Sequence, residues 1–218
     1  MDLELKYTPG VVAKYQWHNP VVEAKVTPYL ANLTTRPVLF YGAPGSGKSR
    51  LGRLLPHMIC KDLDPSMHMK RLYGSQATVA KVEGLLDFCK MTAWNSLNMH
   101  IISIEEVDDV PVSVMNTLKG FLDDIGDMED PTLVVMTTNN INKISAAVRD
   151  RCELVYVGLP SAEKLFPFAQ SILGNEGVTV DDGLLLGILQ HNAEDGLSYR
   201  EFFKRLTRLI AKLCGTTP

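Results

Sequence analysis

Residues Gly42-Ala43-Pro44-Gly45-Ser46-Gly47-Lys48-Ser49 satisfy the pattern G-x-x-x-x-G-K-[ST] at every specified position. The pattern constrains the fold because it works in one setting, after a buried strand and at the start of a helix. Both flanks are present: Val38-Leu39-Phe40-Tyr41 is an apolar run, and residues 49–55 are helix-permissive. Three glycines let the backbone curl until successive N–H groups face inward as an anion nest. The following helix adds the partial positive charge of its N-terminus. Gly42, Ala43, Pro44, Gly45, Ser46, Gly47, Lys48 and Ser49 are therefore the candidate phosphate-binding set. Lys48 has the reach for the β- and γ-phosphates of ATP, and the Ser49 hydroxyl is a candidate ligand of Mg²⁺.

Strand-like runs recur along the chain at 38–41, 71–73, 100–104, 133–137 and 154–157. Helical patterns separate them at 49–55, 78–91, 111–122 and 145–148. This alternation predicts an α/β core with a five-stranded parallel sheet covered on both faces. After Gly158-Leu159-Pro160 the rhythm changes and no further strand is expected. Ser161, Asp181-Asp182 and Ser198 open three helices, and Phe202, Leu206, Leu209 and Leu213 recur at helical spacing in the last. The expected division is an ATPase-type core over 1–158 and a small helical lid over 159–218. Residues 1–37 read as a lead-in punctuated by Pro9, Gly10, Pro20, Pro28 and Pro37, with one short helix within 21–33.

His100-Ile101-Ile102-Ser103-Ile104-Glu105-Glu106 is a strand ending in two acids. A P-loop enzyme needs a carboxylate in the Mg²⁺ shell and a group that orients or deprotonates the attacking water. Glu105 is placed for the first task and Glu106 for the second.

With these parts in this order, the chain resembles the AAA+ ATPases. Within them it looks most like the clamp loaders of replicative sliding clamps, especially the phage-type and replication factor C-like ATPase subunits. Lys6-Tyr7-Thr8-Pro9 is similar to their K-Y-x-P, and Glu105-Glu106-Val107-Asp108 to their D-E-x-D. Thr138-Asn139-Asn140 resembles their sensor-1 strand end, and Asp150-Arg151-Cys152 their S-R-C motif. The resemblance implies that Asn139 holds the attacking water or the γ-phosphate. It implies that Arg151 is an arginine finger for a neighbouring subunit, with Arg149 its local competitor. It implies that Arg200 touches phosphates from the lid, with ATP bound between core and lid.

Three departures go with this. Glu105 stands where those enzymes carry Asp, and Asp150 where they carry Ser. Read as it stands, the chain leaves no room after the third lid helix for their helical collar. Either it is part of a longer chain, or its assembly is held differently, or it is another kind of AAA+ machine.

The expected partners are other AAA+ subunits in a homo- or hetero-oligomer, a sliding clamp or other replication protein, and DNA. A helicase loader, a transposition-type regulator and a weakly hydrolysing scaffold subunit are the alternatives. The net charge of −3 argues against a uniformly basic nucleic-acid surface. The resemblance implies that DNA phosphates run past the pore-side starts of core helices, where Ser75, Thr78, Lys81 and Lys119 are the nearest candidate contacts. No apolar run approaches a membrane span and no signal peptide is recognisable, so a cytoplasmic protein is expected, in a host cytoplasm if viral. Cys60, Cys89, Cys152 and Cys214 lie far apart and form no C-x-x-C pair, which suggests reduced thiols without zinc.

Overall fold

A computed structural model describes residues 2–8 and 19–213. Pro9 of the K-Y-x-P segment, Gly10 and Cys214 lie outside the described residues. The order of elements is α1 (Leu3–Tyr7), α2 (Pro20–Leu30), β1 (Val38–Tyr41), α3 (Lys48–Ile59), α4 (Pro65–His68), β2 (Met69–Tyr73), α5 (Val79–Cys89), β3 (His100–Glu105), α6 (Val112–Asp124), β4 (Thr132–Thr138), α7 (Ala146–Arg149), β5 (Glu153–Tyr156), α8 (Ala162–Asn175), α9 (Asp182–Gln190) and α10 (Tyr199–Leu213). The chain divides into two compact units. A sheet unit holds Val21–Gly42 and Lys48–Val157; a helical unit holds Met1–Pro20, Ala43–Gly47 and Gly158–Pro218.

In the sheet unit the five strands are all parallel, in the order β2-β3-β4-β1-β5. This is the α/β architecture that the alternating pattern predicts. Position in the sheet explains the composition of each strand. Every residue of the inner strands β3 and β4 is buried, so both faces of the sheet are covered there. The edge strands are partly wet: β2 exposes Lys70, Arg71 and Tyr73, and β5 exposes Tyr156. A core of Leu39, Ile102, Ile104, Val134 and Met136 packs with Val82 and Leu85 of α5 and with Leu118 and Phe121 of α6. Each fully buried large side chain of this kind contributes about 1.5–3 kcal/mol.

Helix starts follow their capping residues. Thr78 accepts from Lys81 N, Ser145 from Val148 N and Asp181 from Leu184 N; such caps contribute about 1 kcal/mol each. Three boundaries differ from the sequence reading. α3 runs past Pro56 to Ile59 because the proline ring is buried and its packing offsets one lost helical hydrogen bond. α4 begins where Asp64 caps it and Pro65 fills its first position, a signal the sequence reading passed over. α1 forms within the lead-in, capped by Asp2.

The helical unit has its own core. Leu165, Ala169 and Ile172 of α8, Leu185 and Leu189 of α9, and Phe202, Leu206 and Leu209 of α10 pack together. Phe168, Phe202 and Phe203 form an aromatic cluster with centroids 5.2–6.1 Å apart. Leu3 of α1 joins this core. Lys6 Nζ donates to Glu176 Oε1 at 2.7 Å, and the Tyr7 hydroxyl donates to the same oxygen.

Candidate functional site

The glycine turn adopts the conformation that its sequence requires. Gly42, Gly45 and Gly47 have φ of 143°, 77° and 94°, where a side chain is strained. Lys48 begins α3; its Nζ donates to Gly42 O at 2.8 Å across the turn. Lys48 is buried, and burial holds its ammonium below the usual lysine range, while the charge of Asp108 pushes it back up. Ser49, the next residue of α3, is exposed.

Within the helical unit, Ala43–Gly47 packs on the first turn of α10. Tyr199 N donates to Gly45 O at 2.9 Å. A Cβ on Gly45 would lie 2.8 Å from Ser198 Cβ, and one on Gly47 would lie 3.2 Å from the Tyr199 ring. Both glycines are thus required twice, by backbone angle and by a close neighbour. Arg200, the residue singled out from sequence, is exposed; the residues against the turn are Ser198 and Tyr199. Adjacent positions on a helix start cannot be ranked without the helix phase, so the sequence carried no signal for this.

At the ends of β3 and β4 the candidate polar groups come together. Glu105 is buried, and both its oxygens are engaged: Arg53 Nε and Nη2 reach them at 3.0 and 2.7 Å, and Arg71 Nε lies 3.5 Å away. Glu106 is exposed and left-handed, with φ 57°, a conformation costing a non-glycine residue about 1–3 kcal/mol. Its surroundings hold it there. Its N–H donates to Thr137 Oγ1 at 3.3 Å, and its carbonyl packs so tightly on Gly74 that a Cβ there would sit 1.9 Å away. Asn139 follows β4 and is exposed. Asp108 Oδ1 accepts from Thr138 Oγ1 at 2.8 Å and from Asn139 N at 3.3 Å.

Arg151 is held within its own unit. Its Nε and Nη2 donate to the Asp123 carboxylate, and its Nη1 donates to Ala147 O at 2.6 Å. This pair holds the Asp123 carboxyl below the usual range. The buried Nε of Arg149 has no hydrogen-bond partner among the described residues. Burial pushes the neighbouring Cys152 thiol up to about 12, so it stays protonated. Ser75, Thr78 and Lys81 are exposed around the start of α5; Thr78 caps that helix and Lys81 Nζ donates to Gln76 O. Lys119 lies in α6.

The donor set suits a polyphosphate: a glycine nest, an ammonium and a helix N-terminus. For a metal ion it is sparser. No group of three or more His, Cys, Asp or Glu side chains is arranged to hold one among the described residues. The Ser49 hydroxyl fits a metal carried in with a nucleotide; Glu105 fits only on release from Arg53. No helix among the described residues is long and apolar enough to cross a membrane.

The family model for ATPases associated with various cellular activities matches residues 38–158. DNA polymerase III subunit gamma of Buchnera aphidicola subsp. Acyrthosiphon pisum is 21% identical over 169 residues, covering 70% of this chain and 46% of that protein. The chain therefore spans about half the length of that curated relative. Among solved structures, the Thermotoga maritima RuvB Holliday junction branch migration motor superposes with a TM-score of 0.69 at 13% identity, over 95% of this chain and 67% of that one. The FIGL-1 AAA domain in complex with ADP gives a TM-score of 0.62 at 20% identity, over 91% and 73% of the two chains.

Proposed function

Because the chain belongs to the family of ATPases associated with various cellular activities, we propose that it binds and hydrolyses ATP with Mg²⁺ and acts on replication machinery in the manner of a clamp loader. The observation that carries the nucleotide reading is the positive φ of Gly42, Gly45 and Gly47, with the Lys48 ammonium bonded to Gly42 O. The ADP complex of the FIGL-1 domain supports adenine nucleotide as the ligand. The likeness to a DNA polymerase III subunit supports replication as the setting.

In this reading Gly42–Ser49 cradles the phosphates, and Lys48 shifts from Gly42 O to the β- and γ-oxygens. Ser49, and Glu105 once released from Arg53, would hold Mg²⁺, which would supply charge neutralisation at the phosphates. Glu106, turned outward by its left-handed backbone, accepts the proton of the attacking water. Asn139 orients that water. Arg151 leaves Asp123 to stabilise charge on a neighbouring subunit's nucleotide, as trans arginine fingers do; the pair is partly exposed, so breaking it costs little. Arg200 approaches phosphate once nucleotide is bound. Residues 1–158 serve as the core and 159–218 as the lid, the oligomer works in a cytoplasm, and DNA runs past the start of α5.

Two measurements test this. Glu106→Gln should keep ATP binding and lose about 10²-fold or more in turnover; wild-type hydrolysis in this variant rules out the assignment. Turnover per subunit should rise with protein concentration, and Arg151→Ala mixed with Lys48→Ala should recover activity that neither has alone. Stimulation by a sliding clamp with primer-template DNA supports the clamp-loader reading. Stimulation by a replicative helicase or by single-stranded DNA alone replaces it with a helicase loader, and absence of turnover with intact binding replaces it with a scaffold subunit.

A further inference from the structure

We propose that Asp108 is a positioning residue for hydrolysis, fixing the turn that carries Asn139 against the turn that carries Glu106. The argument begins where the sheet ends. The β3–β4 ladder pairs His100 with Thr132 and closes at Ile104 with Met136. Glu106 and Asn139 both lie beyond that last pair, on separate exposed turns. Backbone hydrogen bonds between the strands no longer set their spacing.

Side-chain bonds take over at that point. Thr137 Oγ1 accepts from Glu106 N at 3.3 Å, and Asp108 Oδ1 accepts from Thr138 Oγ1 at 2.8 Å and from Asn139 N at 3.3 Å. A further link, from Asn140 N to Thr138 Oγ1 at 3.0 Å, ties the same hydroxyl to the next peptide. Thr138 is buried, so its hydroxyl has no water to fall back on if Asp108 is removed. One carboxylate oxygen thus gathers the end of β4 and holds it two residues from Glu106. Asp108 also faces Lys48 electrostatically, so its geometric and charge contributions have to be separated.

The inference rests on the proposed roles of Glu106 and Asn139, and the variants are chosen to tell the two apart. Asp108→Ala should lower kcat by about 10- to 100-fold, the scale of a misplacement near 1 Å. The Kd for ATP from equilibrium binding should stay within about threefold, since no phosphate ligand moves. Asp108→Asn keeps an oxygen for both donors and should restore most of kcat. If Asp108 acts through Asn139, adding Asp108→Ala to Asn139→Ala should lower kcat no further.

A normal kcat in Asp108→Ala, or losses that multiply in the double variant, overturns the inference and leaves the role of Asn139 standing. Unchanged kcat in Asn139→Ala alone removes the role of Asn139 and the inference with it. A kcat in Asp108→Asn as low as in Asp108→Ala assigns the effect to charge on Lys48 and likewise overturns the positioning role. Should Asp108→Ala lack a cooperative melt, Thr138→Val against Thr138→Ser carries the same comparison, the first losing kcat and the second keeping it; equal rates overturn it.

Discussion

Leu39, Ile102, Val134 and Met136 of the sheet unit meet because hydrogen-bonded strands bring them into register. Leu3, Leu165 and Phe202 of the helical unit meet with no ladder between them, through side-chain packing alone. The first arrangement survives the loss of a side chain, because the backbone still defines the position. The second does not. This difference suits the chemistry proposed for each region: groups that must be placed precisely stand at strand ends, and the turn that must fit a ligand packs on helices.

The largest effect expected from this contrast is in the helical core. Phe202→Ala should cost about 3–5 kcal/mol, read from urea unfolding with far-UV dichroism and Trp emission as separate probes. With Trp17 replaced by Phe, the emission comes from Trp94 of the sheet unit. Loss of helix signal ahead of the Trp94 transition sharpens the contrast; coincident transitions break it, showing that the two units unfold as one.

Gly45→Ala comes next. Its φ and the Ser198 contact together should cost about 1–3 kcal/mol and lower ATP affinity about 10²-fold. Pairing it with Ser198→Gly removes the overlap but not the φ strain. Partial recovery of affinity in the pair shows that both constraints operate; none shows that backbone angle alone dictates glycine here.

Gly74→Ala probes a strand end of the sheet unit. A Cβ 1.9 Å from Glu106 O must displace that carbonyl, at about 1–3 kcal/mol. Turnover should fall more than stability does, since Glu106 is displaced while the core is not. A melting shift with unchanged kcat would break the link between this contact and Glu106.

The smallest effect concerns α1. Hydrogen bonds donated by its Lys6 and Tyr7 hold the Glu176 carboxyl below its ordinary value of 4.5. A depressed folded-state value means the contribution is complete above about pH 4.5 and disappears as the pH falls through the folded value. Amide protection of α1 should therefore be equal at pH 7 and pH 5.5 and decline only in stronger acid. Glu176→Gln should abolish that acid step; its persistence would show that a group other than Glu176 carries it.

Much of the sheet unit was legible because its signals are local and continuous. Residues 38–41 carry their strand boundaries in four apolar side chains, and the inner strands read as unbroken apolar runs. The apolar run at 100–104 stops one residue before the strand itself ends, at Glu105. This glutamate is the last buried residue of β3, neutralised by Arg53 and Arg71, which lie on other elements. The glycine turn was legible as a motif because its parts are contiguous. Asp108 was visible only as a letter in a motif, since its bonds depend on β3 lying beside β4. Tyr199 and the anchoring of α1 were not legible at all. The one depends on helix phase, and the other joins Tyr7 to Glu176 across 169 residues.

That last separation has a consequence on the ribosome. At about 5–20 residues per second, Glu176 is synthesised roughly 10–30 s after Tyr7. Throughout that interval Leu3 has no core to enter, and a pentapeptide helix is too short to persist alone in water. Leu3–Tyr7 is therefore open to chaperones and proteases until α8 and its neighbours have been made. Its protection is a late event in synthesis, although its sequence is early.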